Sequence, residues 1–177
     1  MTADELRTLM AALDFAARKH KDQRRKDADA SPYINHPIAL ANILANEGHV
    51  TDLETICGAL LHDTIEDTET TEAELVATFG PSIAGIVVEV TDDKVLEKSA
   101  RKQAQIDHAP HLSTKAKAVK LADKIANLRD VAACPPPDWS LERRQGYFDW
   151  AKQVIDRLRG AHPQLEAVFD EQHAQRP

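Results

Sequence analysis

His36, His62, Asp63 and Asp123 each stand where a polar side chain opens, ends or interrupts an apolar stretch. His36 directly precedes Pro37, His62-Asp63 follows Ala59-Leu60-Leu61, and Asp123 breaks the run Val119-Lys120-Leu121-Ala122. Any one such residue is more often a capped or internally satisfied group than a ligand. Together they supply two imidazoles and two carboxylates. That mixed nitrogen and oxygen set suits a six-coordinate divalent ion such as Mn²⁺, with water or substrate in the remaining positions. Cys57 and Cys134 are the only cysteines and form no CxxC pair, which weighs against structural zinc and against a disulfide framework.

Acids and bases surround this set. If the chain stays helical after His62-Asp63, Glu66 and Asp67 return to the same face four residues later, placed to position and deprotonate an attacking water. The bland alternative is an acidic cap on a helix end. Asn127 and Asp130 follow Asp123 by four and seven residues and share its helical face, so Asn127 can hydrogen-bond a sugar or phosphate. Arg24, Arg25 and Lys26 form a basic cluster that opposes the formal net charge of −7 and can hold phosphates, although a loop's charges are usually just solvated.

The elements that must carry these residues read as helices. Leu6, Leu9, Met10, Leu13, Ala16 and Ala17 recur at helical spacing behind a Thr2/Glu5 capping box, predicting a helix that ends near His20. A polar surface loop over 21–32 holds the basic cluster. Pro37 begins a helix running to Gly48, Thr51 and Glu54 form a second capping-box pattern, and Thr71 and Glu74 open a short helix ending at Gly80. The stretch 82–90 reads as a buried helix, with strand as the competing assignment. An exposed helix follows over 94–108, then one capped by Ser113 that carries Asp123. Pro135-Pro136-Pro137 breaks the chain before a helix from Ser140 through Tyr147, Trp150, Val154 and Leu158, and a short one from Pro163 to His173. The expected fold is all-α: one compact helical domain over residues 1–177, with its core over 4–160 and a C-terminal helix over 163–173.

The composition narrows the function classes. A chain of 177 residues suits one domain, and the acidic balance argues against a nucleic-acid binder without excluding a small anionic ligand. Neither a secretory leader nor an apolar run of ~18 residues is present, so the expectation is a cytoplasmic protein with no membrane association. The apolar faces leave a homo-oligomer open.

Four ordered motifs now carry a resemblance: His20-Lys-Asp-Gln-Arg-Arg25-Lys26, Pro32-Tyr-Ile-Asn-His36-Pro37, Ala59-Leu-Leu-His62-Asp63-Thr-Ile-Glu66-Asp67, and Lys120-Leu-Ala-Asp123-Lys-Ile-Ala-Asn127-Leu-Arg. In these the sequence resembles the HD-domain hydrolases of the RelA/SpoT family, above all their small stand-alone alarmone hydrolases of the metazoan SpoT-homologue type. The resemblance spans most of the chain. It departs at Ile65, where valine is common, an exchange that keeps a β-branched apolar side chain. It implies an HD-domain bundle that converts ppGpp and pppGpp to GDP and GTP plus pyrophosphate. It further implies His36, His62, Asp63 and Asp123 as Mn²⁺ ligands, Glu66 and Asp67 as the catalytic acids, and Arg25, Lys26 and Asn127 as nucleotide contacts. Arg24, Lys98, Arg101, Arg144 and Tyr147 are looser candidates for substrate binding. Two alternatives stand beside it: hydrolysis of another ribose-phosphate nucleotide such as NADPH, and a non-enzymatic alarmone sensor.

Overall fold

The computed structural model describes all 177 residues. Ten α-helices follow one another without a β-strand: α1 (Ala3–Lys19), α2 (Asn35–Asn42), α3 (Leu53–Leu61), α4 (Thr64–Asp67), α5 (Glu72–Phe79), α6 (Pro81–Val90), α7 (Lys98–His108), α8 (Thr114–Ala133), α9 (Leu141–Asp156) and α10 (Pro163–His173). The only extended pairing is an isolated bridge between Arg24 and Pro32, which pinches the basic loop at its base. No helix is long and apolar enough to cross a membrane.

The expected caps explain most helix starts. Thr2 and Glu5 form a reciprocal capping box on α1, Thr71 accepts from the Glu74 amide at the start of α5, and Ser113 and Ser140 accept from the amides of Ala116 and Arg143. One cap differs from the sequence expectation. Asp52, rather than Thr51, accepts from the Thr55 amide at 2.9 Å and starts α3, while Glu54 turns outward to Lys115. The helix begun at Asn35 also does not run on unchanged to Gly48: Ile43–Glu47 is wound as a π turn, closed by the Gly48 amide donating to the Ile43 carbonyl at 2.9 Å.

The stretch 82–90 is helical, as its length favours: α6 begins at Pro81 behind Gly80, whose φ of 85° lies in the left-handed region that glycine enters without steric cost. Residues 94–97 stay outside the next helix, and α7 starts only at Lys98.

Helix α3 is the structural pivot. It packs on α1, α2, α6 and α8. Ala59 belongs to a large apolar cluster with Leu40, Ile43, Leu121, Ile125, Phe148 and Phe169, whereas Cys57, Leu60 and Leu61 belong to a smaller one with Phe15, Leu75, Ile83 and Val87. A helix apolar on all sides has to be buried. Burying each leucine of this wall contributes roughly 1.5–3 kcal/mol, and the wall ends at His62-Asp63.

Candidate metal centre and substrate cavities

Three helices that meet in the core bring the proposed ligands together. His36 sits in the first turn of α2, His62 closes α3, and Asp123 lies midway along α8. Ligand atoms of His36, His62 and Asp123 all fall within 4.8 Å of one another. His36 Nε2 is 3.3 Å from Asp123 Oδ1, and His62 Nε2 is 2.9 Å from Asp63 Oδ2. Both histidines are buried.

The donor chemistry fits a cation. His62 Nδ1 lies 2.8 Å from the Ala59 carbonyl oxygen, an acceptor, so that nitrogen carries the ring proton. Nε2 then faces a carboxylate oxygen with a lone pair of its own. Without metal the contact is attractive only when the ring gains a second proton. Burial opposes that proton, but the Asp63 carboxylate outweighs it and raises His62 to about 8. A divalent cation between imidazole and carboxylate would satisfy the same pair of donors. Burial would raise the carboxyl of Asp123, yet Lys124, His36 and His62 hold it well below the usual range, so it remains an anionic donor. His36 is pushed down, chiefly by burial, and stays neutral as a ligand must.

Side chains behind the ligands set their orientation. The Tyr33 hydroxyl donates to Asp63 Oδ2. Asn127 Nδ2 donates to Asp123 Oδ1 at 2.6 Å, and Asn127 Oδ1 accepts from Arg25 at 3.2 Å. Lys124, itself buried, places its ammonium 3.0 Å from Asp123 Oδ2. Arg25 also pairs with Asp130, so the face carrying Asp123, Asn127 and Asp130 is one connected network, as its spacing predicts.

Two cavities open on this network. The first, about 350 Å³, is lined by His36, His62, Asp63, Glu66 and Asp123, and by Asp92, Lys98, Arg101, Lys102 and Arg143 among others. The second, about 360 Å³, is lined by Arg24, Asp27, Asp67, Asp130, Cys134 and Pro136 among others. Arg25, Lys26, Tyr33, Asn127, Trp139 and Tyr147 form their shared wall.

Glu66 and Asp67 do not share one face. The chain turns at His62-Asp63 and α4 begins afresh at Thr64, which changes the rotation assumed for a continuous helix. Glu66 faces the first cavity, where its Oε2 accepts from the Asp92 amide at 3.2 Å. Burial, then Asp63 and Asp92, push its carboxyl up to about 7. Asp67 instead accepts from Gln23 Nε2 at 2.8 Å and pairs with Lys94, so both its oxygens are engaged.

Among the substrate-contact candidates, Lys98, Arg101 and Tyr147 line the first cavity, and Arg25, Lys26 and Asn127 line both. Arg24 lines only the second and donates to the Lys21 and Gln23 carbonyls of its own loop. Arg144 lines no part of the second cavity and does not line the first. Its neighbour Arg143 does, one residue earlier on α9, where the helical rotation of about 100° per residue separates them. Sequence reasoning missed Tyr33, Lys102, Lys120, Lys124 and Trp150. Lys120 and Lys124 carried a signal, since each interrupts the same apolar run as Asp123.

Known proteins resemble this chain over most of its length. A family profile described as the HD domain matches residues 12–147. The guanosine-3′,5′-bis(diphosphate) 3′-pyrophosphohydrolase MESH1 of Homo sapiens is 52% identical over 172 residues, covering 97% of this chain and 96% of the relative. The protein of the same name from Drosophila melanogaster is 48% identical over 94% of this chain and 93% of its own length. A solved structure described as a metazoan ortholog of SpoT that hydrolyzes ppGpp superposes with a TM-score of 0.93 at 46% identity, over 99% of this chain and 97% of the other.

Proposed function

The chain belongs to the HD-domain family, and we propose that it is a guanosine-3′,5′-bis(diphosphate) 3′-pyrophosphohydrolase, releasing pyrophosphate from ppGpp to leave GDP and from pppGpp to leave GTP. The observation that carries this reading is the convergence of His36, His62 and Asp123 within 4.8 Å, on the wall of a cavity that Arg25, Lys98, Arg101, Lys102 and Arg143 also line. Relatives matched over nearly their whole length carry this activity in their names, which supports it.

In this reading His36, His62, Asp63 and Asp123 hold a divalent ion. A nitrogen and oxygen donor set without thiolate favours Mn²⁺. When bound, the ion supplies Lewis acidity, which lowers the pKa of water and offsets phosphoryl charge. Glu66 takes a proton from the attacking water; a carboxyl poised near neutrality is suited to that transfer. The water oxygen bonds to the phosphorus carried by the 3′-oxygen, the bond from that phosphorus to the 3′-oxygen breaks, and the 3′-oxygen regains a proton as the ribose hydroxyl. Arg25 and Asn127, tied to each other and to the ligand network, orient the ribose and its phosphates. Asp67 holds Gln23 and Lys94, and through them the loops on either side of the site.

The reading also includes one domain across the chain, a cytoplasmic location and a free nucleotide as substrate. Incubating metal-depleted protein with ppGpp, pppGpp or NADPH, with and without Mn²⁺, and separating the products by chromatography tests it. GDP and GTP with pyrophosphate, only when metal is added, is the expected result. NADPH turnover equal to or above that of ppGpp overturns the substrate assignment, and intact nucleotide retained in a tight complex overturns the enzyme.

A further inference from the structure

Val90 ends α6, and the chain then runs past both acids of the His62 to Asp67 motif before α7 begins at Lys98. Two groups on this strap reach them. The Asp92 amide donates to Glu66 Oε2 at 3.2 Å, and the Lys94 ammonium pairs with Asp67. No other protein group donates to Glu66, whose Oε1 is left free. The strap thus sets where the Glu66 carboxyl stands, and whatever holds the strap bears on the proposed base.

Two side chains from the neighbouring helices hold it. Lys120 of α8, only 8% exposed, donates to the Val90 carbonyl at 3.1 Å and forms no ion pair. Gln105 of α7 donates through Nε2 to Asp92 Oδ2. The other end of that amide, Gln105 Oε1, is buried without a hydrogen-bond partner. An unpartnered buried acceptor costs stability, so packing alone does not favour glutamine at this place. The bond to Asp92 does. An amide N–H on a carboxylate is a charge-assisted contact, and it keeps Asp92 in a cavity wall that already carries Asp63 and Glu66. Left to itself, a third carboxylate would turn to water and take its own amide off Glu66. The platform under Gln105 is fixed as well: one turn earlier, the Lys102 carbonyl accepts from Trp150 Nε1 at 3.1 Å, which ties α7 to α9.

Resting on the reading of Glu66 as the base, we propose that Gln105 is a positioning residue for the reaction. By holding the Asp92 carboxylate it keeps the Asp92 amide on Glu66 Oε2, which leaves Oε1 to take the proton from water. Gln105 acts through Asp92 and makes no hydrogen bond to Glu66 or to a proposed metal ligand.

Gln105→Met removes the donor and keeps the length of the side chain, and Gln103→Met makes the same change at an exposed position of α7. Amide hydrogen exchange in the metal-free protein, followed by NMR, reads the strap without turnover. In Gln105→Met the Asp92 amide should exchange about tenfold faster, the effect of one lost hydrogen bond, while amides inside α6 and α8 keep wild-type rates. With Mn²⁺ and ppGpp, Gln105→Met should lower kcat by about tenfold at unchanged KM, and Gln103→Met should leave both as in the wild type. Reversing the pair supplies a rescue. Gln105→Glu sets two carboxylates against each other and should lose activity; adding Asp92→Asn returns a donor opposite an acceptor at the wild-type net charge and should restore most of kcat. Wild-type exchange at Asp92 in a folded Gln105→Met protein, a rise in KM with kcat unchanged, or a double variant no better than Gln105→Glu alone overturns the assignment even if ppGpp is cleaved. A wild type whose Asp92 amide behaves as described but which leaves ppGpp intact removes the reaction reading instead, and with it the base that Gln105 would position.

Discussion

Glu66 and Asp67 are neighbours in the chain, yet their carboxylates open on different cavities. The first faces the candidate metal centre with a carboxyl raised to about 7, and the second is held by Gln23 and Lys94. Adjacent acids in one motif are thereby given separate surroundings, and the proposed reaction gives them separate tasks.

Substitution should separate those tasks. Glu66→Gln is expected to lower kcat by about 10²–10⁴-fold, the usual contribution of a positioned base, with metal stoichiometry and melting temperature retained. Asp67→Asn should cost less, and Lys94→Met should reproduce its effect because both remove the same ion pair. The double variant should then fall short of the sum. Steady-state kinetics on the four proteins checks this; equal losses in Glu66→Gln and Asp67→Asn would return the two acids to one role.

The position of Glu66 also sets a pH dependence in the metal-free protein. Its carboxyl rises from 4.5 to about 7 on folding, first through burial and then through Asp63 and Asp92. The folded state thus favours the protonated form, so this contribution to stability is full below 4.5 and is lost as pH rises through about 7. Relative to Glu66→Gln, the wild type should lose urea stability between about pH 5 and about pH 8. Parallel pH profiles for the two proteins would contradict the assignment.

In the proposed site Tyr33 would bear on the metal through Asp63. Tyr33→Phe removes the hydroxyl that donates to Asp63 Oδ2 while keeping the ring against His20 and His36. Divalent-metal affinity should drop by about 10-fold or more, the usual consequence of losing a hydrogen bond behind a ligand. Mn²⁺ titration followed by electron paramagnetic resonance measures it, and affinity equal to wild type would show that Asp63 is held without the phenol.

Gly58 tests the packing that brings the ligands together. A Cβ there would meet Ile86 Cγ2 at 2.6 Å, so α3 and α6 must separate to admit it. Gly58→Ala is expected to destabilise the fold by about 1–3 kcal/mol, seen as a lower urea midpoint. An unchanged midpoint would mean that this interface yields easily.

These outcomes also mark how far the sequence could be read. Caps at Thr2, Thr71, Ser113 and Ser140, and the polar interruptions at His62-Asp63 and Asp123, were legible because they depend on neighbours in the chain. The pairing of Glu66 with Asp67 on one face was not, because a turn at Asp63 resets the helical phase, and Asp63 is engaged there by Tyr33, thirty residues away in the chain. Residues such as Lys102 and Trp150 escaped notice for a related reason. Their local context is an exposed-looking charged helix and an ordinary amphipathic one, and only the docking of α7 on α9 makes them a site.

Metal-dependent attack on the phosphorus bonded to the 3′-oxygen is read out by hydrolysing ppGpp in ¹⁸O-labelled water and following the products by phosphorus-31 NMR. With Mn²⁺ restored to the metal-depleted protein, the label should appear in pyrophosphate and not in GDP, and turnover should cease when the metal is withheld. Label on the ribose of GDP, release of orthophosphate in place of pyrophosphate, or undiminished cleavage without metal would contradict it.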